Sequence, residues 1–295
     1  MTDAAPAKET AEQTAKDAAA FCAGLVRTHD FARYASTLFV PAEQRRALLA
    51  LYAFNVEISR VRLLVSQALP GEIRLQWWTD MLAGSGHGSV EANPVAAELL
   101  LAIRNGHLPI DQLSRLIEEH QFDLYNDPMP TSAALEGYLN DTCSVLFSLA
   151  AQLTGWRSDD IEHLASHAGL AQGIVQVVAA LPLDASRRQL FVPVQLLQQH
   201  EVGTEEVFAG RQTPKLRAAL AQIVADAQHH LETALKLLES VPPEVKPVFL
   251  PLALVPRDLE RMSRADADPF APHPASRLRI LWTLWRASRS RMFRS

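Results

Sequence analysis

Apolar residues recur every three or four positions along most of this chain, which is the spacing of helices that bury one face. The clearest example is 212–240, where Thr213 can cap the first turn and Pro214 occupies it. The apolar face of this segment is formed by Leu216, Leu220, Ile223, Val224, Ala227, Leu231, Leu235 and Leu238. A similar pattern runs over 158–181, where Ser158 is the capping residue. We predict a long helix over each segment.

The other helical patterns are separated by proline or glycine. They predict helices over 42–66, 71–83, 92–104, 110–126, 131–154, 244–264 and 276–292. No stretch shows the alternation of apolar and polar residues that is typical of strands. We therefore predict an all-α protein with a single domain over 19–295, preceded by a polar tail over 1–18.

Composition and charge narrow the class of protein. The chain has 295 residues, of which 48% are hydrophobic and 21% are charged, so it can fold around a sizeable core. Its formal net charge is −5, whereas a nucleic-acid-binding protein usually carries a basic excess. We predict no nucleic-acid partner.

The cysteines and the N-terminal sequence indicate the compartment. Cys22 and Cys143 are too few for a disulfide framework and have no zinc-binding spacing. Residues 1–20 contain acids and lack the apolar core of a secretory signal. The absence of a run of about 18 uninterrupted apolar residues disfavours a membrane span. We predict a cytoplasmic protein, with a peripheral position at the inner face of the cytoplasmic membrane as a further reading.

Three groups of segments, in a fixed order, carry a resemblance to a known family. They are Thr37-Leu-Phe-Val-Pro-Ala-Glu-Gln-Arg45 with Leu48-Leu-Ala-Leu-Tyr-Ala-Phe54, Ile73-Arg-Leu-Gln-Trp-Trp78 with Asn93-Pro-Val-Ala96, and Gly169-Leu-Ala-Gln-Gly-Ile-Val175 with Asp184-Ala-Ser-Arg-Arg-Gln-Leu-Phe-Val-Pro193. Over roughly 30–290 the chain resembles the squalene/phytoene synthase family. The resemblance implies an isoprenoid-synthase-like helical fold. Enzymes of the family join two prenyl diphosphates head to head, with Mg²⁺ held by two Asp-rich motifs.

The same resemblance places the Asp-rich motifs on residues that are mostly not acidic. The first motif falls on Ser59, Arg60 and Leu63, and the second falls on Ala180 and Asp184. Only Asp184 offers a carboxylate, and a hard cation needs several oxygen ligands. A guanidinium at the first motif would also repel Mg²⁺. We predict no catalytic residue, no metal and no cofactor, with Mg²⁺ only if the protein is a prenyltransferase after all.

Other segments resemble one branch of the family. They are Ala53-Phe-Asn-Val-Glu57, 138–144, 167–175 and Ser186-Arg-Arg188. The branch is that of the non-catalytic, phytoene-synthase-like assembly factor of mitochondrial respiratory complex I and its bacterial relatives. This implies an assembly factor whose partners are proteins of a respiratory, complex I-like membrane complex. Two alternatives stay open: a head-to-head prenyltransferase in isoprenoid biosynthesis, and a carrier that holds an apolar ligand in the former substrate cavity.

Eight polar residues are candidates for binding a ligand or a partner. They are Asn55, Glu57, Arg60, Gln172, Gln176, Asp184, Arg187 and Arg188. The arginines suit phosphate, because a guanidinium can donate two parallel hydrogen bonds. Each candidate also has a structural interpretation. Buried polar groups are usually paired within the fold, and Asp184 with the arginines could form an ion-pair cluster behind a helix break at Pro182.

Histidines are the remaining candidates for metal binding. His163 and His167 are four residues apart, as metal ligands on one helix face can be. They lack the intervening Glu of the zinc-protease motif, and no third ligand is near them in sequence. His229 and His230 are adjacent, so their side chains leave a helix in different directions. We predict no metal at either pair.

The C-terminal segment 276–295 combines aromatic and basic residues. It contains six arginines and no acid, and its apolar stripe is formed by Leu278, Leu281, Trp282, Trp285 and Met292. This composition suits an anionic membrane surface or an acidic partner. The alternative is a terminal helix that docks on the core and leaves its arginines in solvent.

Overall fold

The computed structural model describes residues 4–86, 88, 90–264, 266–271 and 275–294, and none of these residues is in a strand. The α-helices are α1 (Ala4–His29), α2 (Phe31–Thr37), α3 (Ala42–Ser59), α4 (Val61–Leu64), α5 (Ala68–Leu82), α6 (Pro94–Gly106), α7 (Ile110–Glu119), α8 (Ser132–Leu139), α9 (Val145–Leu153), α10 (Asp159–Ser186), α11 (Val194–Gln199), α12 (Thr204–Phe208), α13 (Pro214–Ser240), α14 (Val255–Met262) and α15 (Arg277–Ser288). Short 3₁₀ turns cover Val90–Ala92 and Phe122–Leu124, a longer 3₁₀ segment covers Pro243–Leu254, and a π-helical turn covers Asn140–Ser144.

The two longest predicted helices pack against each other in the middle of the fold. The side chain of Ser158 accepts a hydrogen bond from the Ile161 N–H at the start of α10, and Thr213 caps α13 in the same way through the Leu216 N–H. These side chains satisfy backbone donors that the first turn of a helix leaves unpaired. The caps and the apolar faces that we predicted are confirmed, and α10 lies along α13.

Two glycines let α10 approach the π-helical turn at backbone distance. A Cβ atom on Gly169 would lie 2.2 Å from Ser144 Cα, and one on Gly173 would lie 2.6 Å from a methyl carbon of Leu139. The Ser144 hydroxyl donates to the Ser166 carbonyl at 3.0 Å across this contact. The Gly169 position has no room for a side chain, because the atoms that it would meet belong to the backbone.

At two places the prolines affect the helices differently from what the sequence predicted. The break predicted at Pro182 does not occur, since α10 continues to Ser186 with Leu181 and Ala185 buried. A proline removes only one N–H, and tertiary packing can hold the helix on both sides of it. The helix predicted over 244–264 is α-helical only from Val255, because repeated prolines withhold the donors of the preceding 3₁₀ segment.

The N-terminal residues belong to a longer helix. Residues 4–18, predicted as a polar tail, are the first part of α1, which packs on α3 and α6. The carbonyl of Ala15 accepts a hydrogen bond from Arg46 Nη2 at 3.1 Å, and Ala18 is buried. Residues 1–3 lie outside the described residues. The alanine-rich sequence explains the continuity, since alanine is the strongest helix former.

Within the part of the chain that the structure describes, one helix meets the length and apolarity of a membrane span. An 18-residue window of α10 has a mean hydropathy of 1.4, and 72% of that window is buried inside the fold. The apolar face is thus already covered by protein, as in the core helix of a globular domain.

Candidate functional site

A central cavity of about 430 Å³ lies beside the C-terminal half of α10. Its walls come from α10, the end of α3 with α4, the π-helical turn, and the corner between α1 and α2. Polar and charged side chains share these walls with apolar ones, among them Val56, Leu146 and Phe191. The cavity is therefore neither a closed apolar core nor a purely ionic cleft.

All five positions that correspond to the Asp-rich motifs line this cavity. Ser59, Arg60 and Leu63 face it from α3 and α4, and Ala180 and Asp184 face it from α10. The two segments that resemble the motifs thus contribute to the same cavity, and only Asp184 brings a carboxylate to it from these five positions.

The candidate binding residues divide between the cavity and other places. Five of them line it, namely Asn55, Arg60, Gln176, Asp184 and Arg187. Gln172 does not line it and instead accepts a hydrogen bond from Arg33 Nη2 at 3.0 Å inside the fold. Gln172 lies one turn before Gln176, in the packed part of α10, and is buried.

Glu57 and Arg188 also lie away from the cavity. Burial raises the pKa of the Cys22 thiol to about 12, followed by the carboxylate of Glu98 and, more weakly, that of Glu57. Because Cys22 is in α1, Glu57 lies on the side of α3 that faces this helix. Arg188 is exposed, forms an ion pair with Glu205, and lies 4.6 Å above the Phe208 ring. The φ angle of Arg188 is 56°, so the chain turns sharply after α10. This turn separates Arg188 from Arg187.

A hydrogen-bond network at one wall was not anticipated from the sequence. Asp123 is its centre: His120 Nδ1 lies 2.7 Å from Asp123 Oδ2, and the Tyr138 hydroxyl donates to Oδ1 at 2.8 Å. Gln189 Nε2 donates to the Asp123 carbonyl at 2.7 Å. The sequence carried no signal for this network, because 110–126 was predicted as one helix. In the structure α7 ends at Glu119, and the 3₁₀ turn that follows brings His120 and Asp123 into the wall.

A buried ion pair closes another part of the cavity. Arg33, only 6% exposed, donates from Nη1 to Asp30 Oδ2 at 2.7 Å and from Nη2 to Gln172, and its guanidinium lies 5.7 Å from the centre of the Tyr52 ring. The donors are shared between a carboxylate, an amide and an aromatic face. This arrangement satisfies a charge that would otherwise be costly to bury.

The surroundings of Asp184 favour the protonated form of its carboxyl group. Burial, followed by the charge of Asp123, raises the pKa of Asp184 to about 7, against a smaller lowering effect of Arg187. At neutral pH this carboxyl group is therefore close to half protonated. Arg60, across the cavity, adds positive charge and contributes, after burial, to a lowered pKa of His29.

The donor set does not fit a magnesium–diphosphate centre. Asp184 is the single carboxylate at the motif positions, Asp30 is paired with Arg33, and Asp123 is held by His120 and Tyr138. Mg²⁺ prefers free oxygen ligands in an octahedron, including carboxylates that bridge it to the substrate.

The C-terminal helix forms a separate exposed surface. Leu284 is fully buried against the core, whereas Leu278 is 80% exposed and Trp282 is 62% exposed. The Trp282 and Trp285 rings stack with centroids 5.0 Å apart, and the Arg289 guanidinium lies 4.1 Å above the Trp285 ring. The predicted apolar stripe is thus split, with Leu281 and Met292 packed against the core and the tryptophans facing outward.

Comparison with known proteins establishes the class. The chain belongs to the squalene/phytoene synthase family, whose model matches residues 26–286. A squalene synthase from Alicyclobacillus acidocaldarius superposes with a TM-score of 0.74 at 20% identity, covering 88% of this chain and 97% of that one. A dehydrosqualene synthase superposes with a TM-score of 0.78 at 14% identity, covering 94% and 97%. The all-α isoprenoid synthase fold that the motifs predicted is confirmed.

Sequence relatives separate two branches of the family. Complex I assembly factor 6 from mouse is 34% identical over 252 residues, covering 85% of this chain and 76% of the mouse protein. The human protein of the same name is 32% identical with the same coverage. A phytoene synthase from Thermus thermophilus is 24% identical over 212 residues, covering 69% of each chain. The resemblance to the assembly-factor branch is therefore confirmed at the level of sequence.

Proposed function

We propose that this protein is a non-catalytic assembly factor for a respiratory membrane complex of the complex I type. One observation carries the proposal. The walls where a synthase needs carboxylates present Ser59, Arg60, Leu63 and Ala180 instead. The similarity to complex I assembly factor 6 supports the same function.

The physical argument concerns the leaving group of the synthase reaction. A departing diphosphate carries several negative charges, and metal ions normally neutralise them as they develop. Here Asp184 is the single carboxylate at the motif positions, and the other two carboxylates of the cavity wall are already paired, Asp30 with Arg33 and Asp123 with His120 and Tyr138. The residues at the motif positions therefore supply too few free oxygen ligands to recruit the cations.

Enzyme assays and genetics together test this proposal. We expect no squalene or phytoene when the protein is incubated with farnesyl or geranylgeranyl diphosphate and Mg²⁺. In the native host, we expect loss of the gene to reduce assembled complex I on native gels, and Asp184→Asn to restore it as well as the wild type does. Product formation that disappears in Asp184→Asn would overturn the proposal and establish the prenyltransferase alternative.

The proposed location is the inner face of the cytoplasmic membrane, with α15 as the attachment surface. Trp282 and Trp285 are exposed on a helix flanked by arginines, and Leu284 holds the opposite face to the core. Each basic side chain near an anionic leaflet contributes about 1 kcal/mol. The aromatic rings suit the interface between headgroups and acyl chains.

Liposome flotation tests this attachment. We expect binding to anionic vesicles that weakens with salt, and weaker binding to neutral ones. The variant carries Arg286, Arg289, Arg291 and Arg294 changed to Gln. The matched control changes four exposed arginines elsewhere to Gln, namely Arg104, Arg157, Arg211 and Arg257. Attachment through α15 predicts loss in the first protein only. Equal binding of both proteins would contradict it.

A second candidate function is that of a carrier for a small, mostly apolar ligand. Among the described residues, His120 Nε2 is buried without a hydrogen-bond partner, and His120 lines the cavity. A ligand hydroxyl could donate to this atom. Native mass spectrometry of the protein purified under mild conditions should show a bound small molecule. An unliganded mass, with no retention of added prenyl alcohols, would exclude the carrier function.

A further inference from the structure

Four histidines meet where α10 packs on α13. His163 and His167 lie one turn apart on α10, and His229 and His230 are adjacent on α13. The ring centroids are 4.9 Å apart for His163 and His167, 5.0 Å for His167 and His230, and 5.8 Å for His229 and His230. None of the four lines the central cavity, so this row of rings is independent of the site described above.

The facing nitrogens of His163 and His167 have the spacing of two ligands on one metal ion. Their Nε2 atoms are 3.2 Å apart. A tetrahedral Zn²⁺ binds each imidazole nitrogen at about 2.0–2.1 Å, which keeps two such nitrogens about 3.3 Å apart. The distance between the two nitrogens therefore already matches that of two ligands on one ion.

His230 lies where it can hold His167 in the tautomer that metal binding requires. His167 Nδ1 lies 2.9 Å from His230 Nδ1. When His167 donates its Nδ1–H to His230, its Nε2 is left with a free lone pair pointing at His163. A hydrogen bond to the second nitrogen is the usual support of a metal-binding histidine.

We propose that His163 and His167 bind a divalent transition metal such as Zn²⁺, Ni²⁺ or Cu²⁺ through their Nε2 atoms, with His230 as the positioning residue. The protein supplies two ligands, and water fills the other coordination positions. Within the described residues no group of three or more His, Cys, Asp or Glu side chains is arranged to hold a metal. The i,i+4 pair was visible in the sequence, but its support from α13 was not. The proposal does not depend on the assembly function.

Calorimetry and thermal unfolding of the untagged full chain test this proposal. We expect ZnCl₂ and NiCl₂ to bind and to raise the Tm, and MgCl₂ to do neither, since only ligands that bind the folded state stabilise it. His163→Gln and His167→Gln should each weaken Zn²⁺ binding at least tenfold. His230→Gln should weaken it by about tenfold, as for a lost supporting hydrogen bond.

The control is His229→Gln, which removes the neighbouring ring outside the pair. It should bind Zn²⁺ within about twofold of wild type. Unfolding of the metal-free variants checks that each is folded, and the exposed position of His163 makes its glutamine variant the safest comparison. If His163→Gln binds Zn²⁺ as wild type does, or if wild type binds Zn²⁺ no better than Mg²⁺, the proposal is wrong.

Discussion

The middle and the end of α10 meet the rest of the protein in opposite ways. Around Gly169 the helix lies against the backbone of the π-helical turn, with no room for one methyl group. From Gln176 to Asp184 the same helix borders an open cavity. The packed part leaves almost no freedom to the sequence, whereas the open part tolerates new side chains. A fold can therefore persist after the carboxylates at Ala180 and at the α3 positions have been replaced.

The largest expected effect is at the packed part. Gly169→Ala places a Cβ 2.2 Å from Ser144 Cα, so two helices must separate. We expect a loss of about 3 kcal/mol or more in the free energy of unfolding, measured by urea denaturation followed by circular dichroism. The matched control is Gly137→Ala in α8, where a Cβ meets nothing within 4 Å. It should be neutral or stabilise by about 0.5–1 kcal/mol. Equal stability of the two variants would show that the close packing at Gly169 does not require a glycine.

The ion pair between Arg33 and Asp30 should give the next largest effect. Arg33→Met leaves Asp30 without its cation and Gln172 without its donor. We expect a loss of about 1.5–3 kcal/mol, which is less than for a fully buried pair because the Asp30 side chain is 20% exposed to solvent. Urea denaturation of Arg33→Met and of the double variant Arg33→Met with Asp30→Asn measures it. The double variant should recover part of the loss. No recovery would mean that the arginine acts through packing alone.

Asp184, in the part of α10 that borders the cavity, should make the free energy of unfolding depend on pH. Its folded-state pKa, raised from 3.8 to about 7, exceeds the unfolded value, so the folded protein holds the proton more tightly. The free energy of unfolding therefore falls as pH rises between these two values. Asp184→Asn should be about 1–3 kcal/mol more stable than wild type at pH 8, an amount reduced by partial solvent screening, and equal to it near pH 4. A variant that is less stable at pH 8 would contradict this assignment.

The smallest effect should come from just beyond the end of α10. Arg188→Gln breaks an ion pair with Glu205 on the surface. We expect no measurable change in Tm by scanning calorimetry, since water and salt screen exposed pairs. Arg187→Gln, which alters the cavity wall, serves as the comparison for ligand retention. If Arg188→Gln released a cavity ligand and Arg187→Gln did not, Arg188 would belong to the cavity wall and not to the surface.

The sequence by itself determined most of the helices, the caps at Ser158 and Thr213 and the class of fold. Local rules decide these features, because a face of apolar residues and a capping hydroxyl act within a few turns. The loss of motif carboxylates was visible for the same reason, since each position is one residue in a recognisable segment. The resemblance of these segments to a known family then indicated the family to which the chain belongs.

Only the tertiary structure decided which side chains share a space. Asn55 lines the cavity and Glu57 does not, although both are polar and lie two residues apart. His120 joins Tyr138 through Asp123, and His167 meets His230 from another helix. Helical periodicity sets which residues lie on one face, but the neighbour of that face comes from a distant segment. That choice depends on how closely whole helices can approach, and in α10 it depends on glycines that carry no side chain at all.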